Sequence, residues 1–204
     1  MDLHTHTVAE FEQDVLANED TLRRLMPDQD WHWLRFPYLR AGETLEKRRA
    51  AAGMLRGHGY RVAEVTLSFD DWAYHDPYAR CLARDDRQSI ALLKESYLQR
   101  AAESIDRGRQ TAQRLYGRDI SHVMLLHVGA FNTVMLPPLL ELLAKRGFEL
   151  VTLEEAQSDP AYAEELDVAM PGGATLLDQA TAAKHATPPP RAELPVGRLA
   201  GLCR

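Results

Sequence analysis

Apolar residues along this chain recur in two patterns, stripes spaced by three or four residues and short unbroken runs, and the two alternate. Val8, Phe11, Val15, Leu22 and Leu25 form the first stripe, predicting a helix over residues 8–25 that Pro27 ends. WHWLRFPY at 31–38 is a short aromatic run stopped by Pro37 and reads as a strand entering a loop. A helix follows over 41–59, with Thr44 near its start and glycines at its end. The β-branched run YRVAEVTLSF at 60–69 predicts a buried strand, while 70–86 is polar and broken and predicts a loop with one helical turn. The longest helical pattern, 87–116, sets Ile90, Leu93, Tyr97, Ala101, Ile105, Ala112 and Leu115 along one side. HVMLLHV at 122–128 predicts another buried strand, PPLLELLAKR at 137–146 a helix with prolines in its first turn, and FELVTL at 148–153 a last strand.

Strands alternating with helices at this spacing indicate α/β architecture with parallel strands. Near residue 170 the chain becomes rich in Ala, Pro and Gly, which divides it into a domain over 1–170 and a segment over 171–204 holding a short helix at 174–183 and a poorly ordered tail. With 204 residues, 45% of them hydrophobic and 26% charged, the chain can bury a core, and it is one domain or a large piece of one. A formal charge of −6 argues against a nucleic-acid partner. No apolar run approaches the roughly 20 residues that a membrane span needs. The opening MDLHTHTVAEFEQD is polar and acidic, unlike a signal peptide. Cys81 and Cys203 lack metal-ligand spacing, and one pair of cysteines does not make a disulfide framework, so the compartment stays open.

Ligand sites of parallel α/β folds lie where strands end. Three polar clusters stand at such ends: Arg35-Phe36-Pro37-Tyr38, Ser68-Phe69-Asp70-Asp71-Trp72, and Leu125-Leu126-His127. Singly, each has an ordinary structural reading as a surface ion pair, a turn with an aromatic lid, or a hydrogen-bonded core histidine. Together they bring a guanidinium, a carboxylate and an imidazole toward one rim, a set able to orient a base and protonate a leaving group.

In this order the clusters resemble the last three motifs of the polysaccharide deacetylase (NodB-type) domain, carbohydrate esterase family 4. RFPYLRAG at 35–42 is similar to its Arg-x-Pro-Tyr/Phe motif, SFDDWAY at 68–74 to its Asp-x-x-Asp-Trp motif with Ser68 in the first Asp place, and LLH at 125–127 to its Leu-x-His motif. The likeness extends over residues 8–180 and includes GFELVTLEEAQSDPAY, which reads like the end of such a domain. It implies an irregular (β/α) barrel, of which this chain is the C-terminal part. It also implies metal-dependent hydrolysis of N-acetyl or O-acetyl groups on a glycan. His127 would be the general acid, Asp71 its support and Arg35 the holder of the base, while Pro37 and Tyr38 on one side and Trp72 on the other would flank the sugar.

Members of that family hold a divalent metal, typically zinc, through one Asp and two His from a Phe-Asp-Asp-Gly motif and a later His-containing motif. This chain has no Phe-Asp-Asp-Gly, and its one Phe-Asp-Asp, at 69–71, runs into Trp72. The register places the family's ligand histidines just ahead of Met1, which makes His4 and His6 loop residues. The expectation is therefore no metal ligand among these residues, no tightly bound cofactor and little or no hydrolysis by this chain alone. Two other readings carry different expectations. MDLHTHT resembles the metal-holding opening of PHP-type phosphoesterases, although Val8-Ala9-Glu10 replaces the expected continuation. A non-catalytic glycan-binding protein would keep Trp72 and Tyr38 for stacking and lose the chemistry. Family members are often exported, which this sequence neither supports nor excludes.

Overall fold

The computed structural model describes residues 1–191 and 196–204. The chain forms two compact units, residues 1–64 with 160–187 and residues 65–159 with 188–204.

In the first unit, Thr7 and Glu10 form a reciprocal capping box that starts α1 (Val8–Leu16), whose Phe11 and Val15 are buried. The predicted 8–25 helix breaks at Ala17, and α2 (Glu19–Leu25) buries no residue. Leu22 and Leu25 continue the apolar spacing, but only the α1 part of the stripe reaches the core. Phe11 stacks on Phe36 at 5.7 Å between ring centroids, inside a cluster with Leu3, Ala51, Leu55 and Tyr60. β1 (Trp33–Leu34) leads through α3 (Leu45–Gly57) to β2 (Arg61–Val62), and the strands pair in parallel, Trp33 with Arg61 and Leu34 with Val62. A parallel pair needs such a crossover helix, and α3 closes this one by burying Ala51 and Leu55.

The second unit repeats the arrangement with less ladder. Leu67 and Met124 form a parallel bridge, with Thr66 N–H donating to Val123 O at 2.9 Å and Leu125 N–H to Leu67 O at 2.9 Å. Between these segments run α4 (His75–Ala83) and α5 (Arg87–Tyr116). The 70–86 segment is thus more helical than its polarity predicts, because Pro77 and Cys81 of α4 are buried. α5 has the predicted bounds and buries Leu93, Tyr97, Ala101, Ile105, Gly108 and Ala112. Gly108 lets α5 pack close to this strand, since a Cβ there would come within 2.2 Å of the Leu67 side chain, which would have to shift.

α6 (Ala130–Lys145) starts seven residues before the predicted prolines and carries Pro137 and Pro138 inside it. The buried Phe131, Met135 and Leu139, one turn apart, hold the helix together across an interruption that would otherwise break it. The predicted strand 148–153 forms no ladder, and Leu150 is 70% exposed. Thr152 and Glu155 make a second capping box that turns the end of this run into the start of α7 (Leu153–Gln157).

α8 (Leu176–Ala183), close to its predicted place, returns to the first unit, where Arg48 bonds Gln179 at 2.5 Å. α9 (Val196–Gly201) belongs to the second unit. The tail was expected to be poorly ordered; its residues 192–195 lie outside the described residues, and 196–201 are helical. Leu199 is buried with Phe69, Tyr74 and Phe131. Cys203 forms a disulfide with Cys81 across 122 residues, a link that cysteine spacing did not predict. The α/β reading holds in its coarse form: helices dominate, and the strands that form are parallel.

Candidate functional site

The second unit brings Asp71 and His127 together. Asp70 sits in the left-handed region at φ 59°, and this turn drives the Asp71 side chain inward at the start of a 3-10 turn, Asp71–Tyr74. Asp71 is fully buried. Its carboxylate accepts the backbone N–H of His127 at 2.7 Å and faces the His127 Nδ1 at 2.9 Å. The Asn132 amide donates to the same carboxylate, and also to the His127 carbonyl at 2.6 Å. Tyr97 O–H in turn donates to Asn132 Oδ1 at 2.9 Å. Burial, joined by the Asp71 charge, pushes the Tyr97 hydroxyl up, so it stays protonated as a donor.

A carboxylate acceptor opposite Nδ1 selects the tautomer with the proton on that nitrogen. Nε2 is then the working atom of a side chain that remains 45% exposed. The ring can accept a proton at Nε2 or, once protonated, deliver one, and Asp71 balances the resulting charge. Trp72, adjacent to Asp71, is 54% exposed and offers an aromatic face to solvent.

Arg35, Pro37 and Tyr38 belong to the first unit. Arg35 Nε–H donates to Ala63 O at 3.2 Å. Burial pushes the neighbouring Glu64 carboxyl up, against the pull of Arg48 and Arg35. Pro37 opens a 3-10 turn in which Tyr38 takes φ 57°. Left-handed geometry at a non-glycine residue stores strain of about 1–3 kcal/mol and needs support from its surroundings. Here Ala174 N–H bonds Leu39 O at 3.2 Å, and Gly173 has no room for a Cβ, which would stand 1.9 Å from the Tyr38 carbonyl oxygen. The Tyr38 ring is 74% exposed, with the Arg40 guanidinium 5.4 Å from its centre.

Of the six residues singled out from sequence, Asp71 and His127 are in direct contact, Trp72 follows Asp71 in the chain, and Arg35, Pro37 and Tyr38 lie in one segment of the other unit. Sequence reasoning missed Asn132, Tyr97 and Glu64. Tyr97 looks like one more core position on the α5 stripe, whereas Asn132, the lone amide within AFNTVML, was a usable signal.

Zinc hydrolysis requires about three protein ligands and an open position. Among the described residues, no three His, Cys, Asp or Glu side chains are grouped to hold a metal ion. His4 Nε2 lies 3.3 Å from the Gly42 N–H that bonds it, and His6 Nδ1 lies 2.9 Å from both Asp2 O and Thr5 Oγ1. The residues described do not fit such a centre. No helix among the described residues is long and apolar enough to cross a membrane. No protein-family model matches the chain, and neither does any curated protein or solved structure.

Proposed function

We propose that this chain supplies the acid side and the sugar-holding side of a polysaccharide deacetylase-like site, built on the later strands of an irregular (β/α) barrel. The observation that carries this reading is the Asp71–His127 pair, with Nδ1 held at 2.9 Å and the far edge of the ring left open. In the reaction, a water attacks the acetyl carbonyl carbon as a carboxylate base held by Arg35 takes its proton, and the tetrahedral intermediate collapses as the C–N bond breaks. His127, protonated at Nε2, passes that proton to the departing amine, and Asp71 keeps the ring oriented throughout. Trp72 offers a stacking face for the pyranose, and the resemblance gives Tyr38 the same kind of role. Arg35 is the residue assigned to a carboxylate base. The zinc that activates water in such reactions is a requirement of the reading that the described residues do not meet, so this chain alone is assigned glycan binding with little or no acetate release.

The test is calorimetric titration with a tetramer of N-acetylglucosamine. The intact protein binds it, Trp72→Ala weakens binding about tenfold, as loss of one stacking face would, and His127→Gln leaves binding nearly unchanged. Absence of binding, or binding indifferent to Trp72, overturns the reading. Release of phosphate from a phosphoester, dependent on metal and on His4 and His6, would replace it with the phosphoesterase reading.

A further inference from the structure

We propose that His75 is a positioning residue for His127, and that its ring holds the loop 127–129 by packing against the Gly129 backbone. Asp71 and Asn132 fix this loop at its first residue, through the N–H and the carbonyl of His127. The Val128 side chain is fully exposed and holds nothing. Gly129 leads into α6, where its carbonyl accepts the Thr133 N–H at 3.0 Å and the Thr133 hydroxyl at 3.1 Å. His75, the first residue of α4, meets the loop at that glycine.

Space is the first argument. A Cβ at Gly129 would stand 1.8 Å from Cε1 and 1.9 Å from Nδ1 of His75, so the edge of the imidazole lies directly against bare backbone. The φ of Gly129 is 176°, extended backbone that any residue adopts, so its conformation does not call for glycine. The His75 ring does. The contact is made by packing, since His75 Nε2 is enclosed and has no hydrogen-bond partner among the described residues. A buried nitrogen in that state carries a desolvation cost that no bond offsets, and few are found in native proteins. An aliphatic side chain would avoid the cost but would not offer a flat edge to the glycine.

The place of His75 in the chain is the second argument. It directly follows the Asp71–Tyr74 turn, and its N–H bonds Trp72 O. Tyr74 within that turn is fully buried and shares a hydrogen bond with the Ser96 hydroxyl of α5 at 3.0 Å. One short, anchored segment therefore meets the 127–129 loop at both ends: Asp71 at the N–H and Nδ1 of His127, and His75 at the Gly129 backbone. Contacts at both ends fix the direction of the loop as well as its position, and with it the direction in which Nε2 points. The purpose of this hold rests on the proton-transfer reading of His127; the hold itself needs no glycan.

The test uses the protein without ligand. Hydrogen exchange at the His127 N–H and the nitrogen-15 signals of the His127 ring would be compared in the parent protein, His75→Ala, Gly129→Ala and the double variant. Each single change is expected to speed His127 exchange about tenfold, as loss of one hydrogen bond would, and to move the ring signals. Exchange at Leu93 and Ile105, buried in α5, stays at the parent rate. In the double variant the new methyl group takes the space the ring vacates, and both His127 readouts return most of the way to the parent values. Single variants that leave His127 unchanged would overturn the hold, and so would a double variant worse than either of them. Faster exchange at Leu93 and Ile105 alongside His127 would make His75 an ordinary core contact and overturn it as well. A protein that holds His127 in this way yet ignores the N-acetylglucosamine tetramer would fail the glycan reading alone.

Discussion

Asn132 braces the Asp71–His127 pair from behind. Its amide bonds both the Asp71 carboxylate and the His127 carbonyl, and its oxygen accepts from Tyr97, so one side chain ties α5 and α6 to the Asp71–His127 pair. Asn132→Leu keeps the branched shape of the side chain, removes all three bonds and leaves the buried Tyr97 hydroxyl without its acceptor. The expected loss is about 2–3 kcal/mol, at about 1–3 kcal/mol per stranded group, read from urea unfolding; a loss below ~0.5 kcal/mol, the level of an ordinary surface substitution, would show that the network is dispensable. His122 gives a second test at this scale. Burial holds its imidazole below the ordinary value of 6.5, against the pull of Asp119, whose Oδ1 is 3.1 Å from Nε2. The unfolded chain takes up that proton near pH 6.5 and the folded chain only at lower pH, so stability is full above 6.5 and declines as the pH falls toward the folded value. Unfolding midpoints of the parent protein and His122→Gln should converge as the pH is lowered from 7 to 5; parallel curves would contradict the assignment.

Among the elements, α9 shows how a short helix is kept in place. Leu199 enters the core of the second unit, Arg80 donates to the carbonyls of Ala200 and Leu202 at 3.2 and 3.3 Å, and the Cys81–Cys203 bond closes a loop of 122 residues. Reduction, or Cys203→Ser, should cost about 2–4 kcal/mol, the usual effect of a long-loop disulfide. A melting temperature unchanged by reduction would mean that Leu199 and Arg80 suffice. Elements differ in how legible they are in the sequence. α5 was read at its true bounds, because its stripe is long and Asp86 caps it through the Ser89 N–H at 2.9 Å. The strands were not, since an apolar run says nothing about which neighbour pairs with it, and the Thr152–Glu155 box outweighed the strand character of FELVTL. The pair at Asp71 and His127 was legible because both stand where apolar runs stop. Asn132 and Tyr97 were hidden by their position inside apolar stripes, and the cysteine link joins residues that only the tertiary fold brings near each other.

At the scale of the whole molecule, two compact units each bear part of the residue set singled out from the sequence. The unit built on 65–159 holds the Asp71–His127 pair and Trp72, and the unit built on 1–64 holds Arg35, Pro37 and Tyr38. Each displays an aromatic ring to solvent beside an unusual backbone turn, Trp72 after the left-handed Asp70 and Tyr38 at its own positive φ. Exposed aromatic faces of this kind suit the apolar face of a sugar. The central claim is that His127 works through Nε2 on a glycan. Its most direct test is nitrogen-15 NMR of the histidine rings with and without saturating N-acetylglucosamine tetramer. The account predicts that the neutral His127 ring carries its proton on Nδ1 and that the Nε2 signal of this residue, together with the Trp72 indole N–H, moves when the tetramer binds. A neutral ring protonated on Nε2, or a His127 signal blind to the tetramer while Trp72 responds, would contradict it.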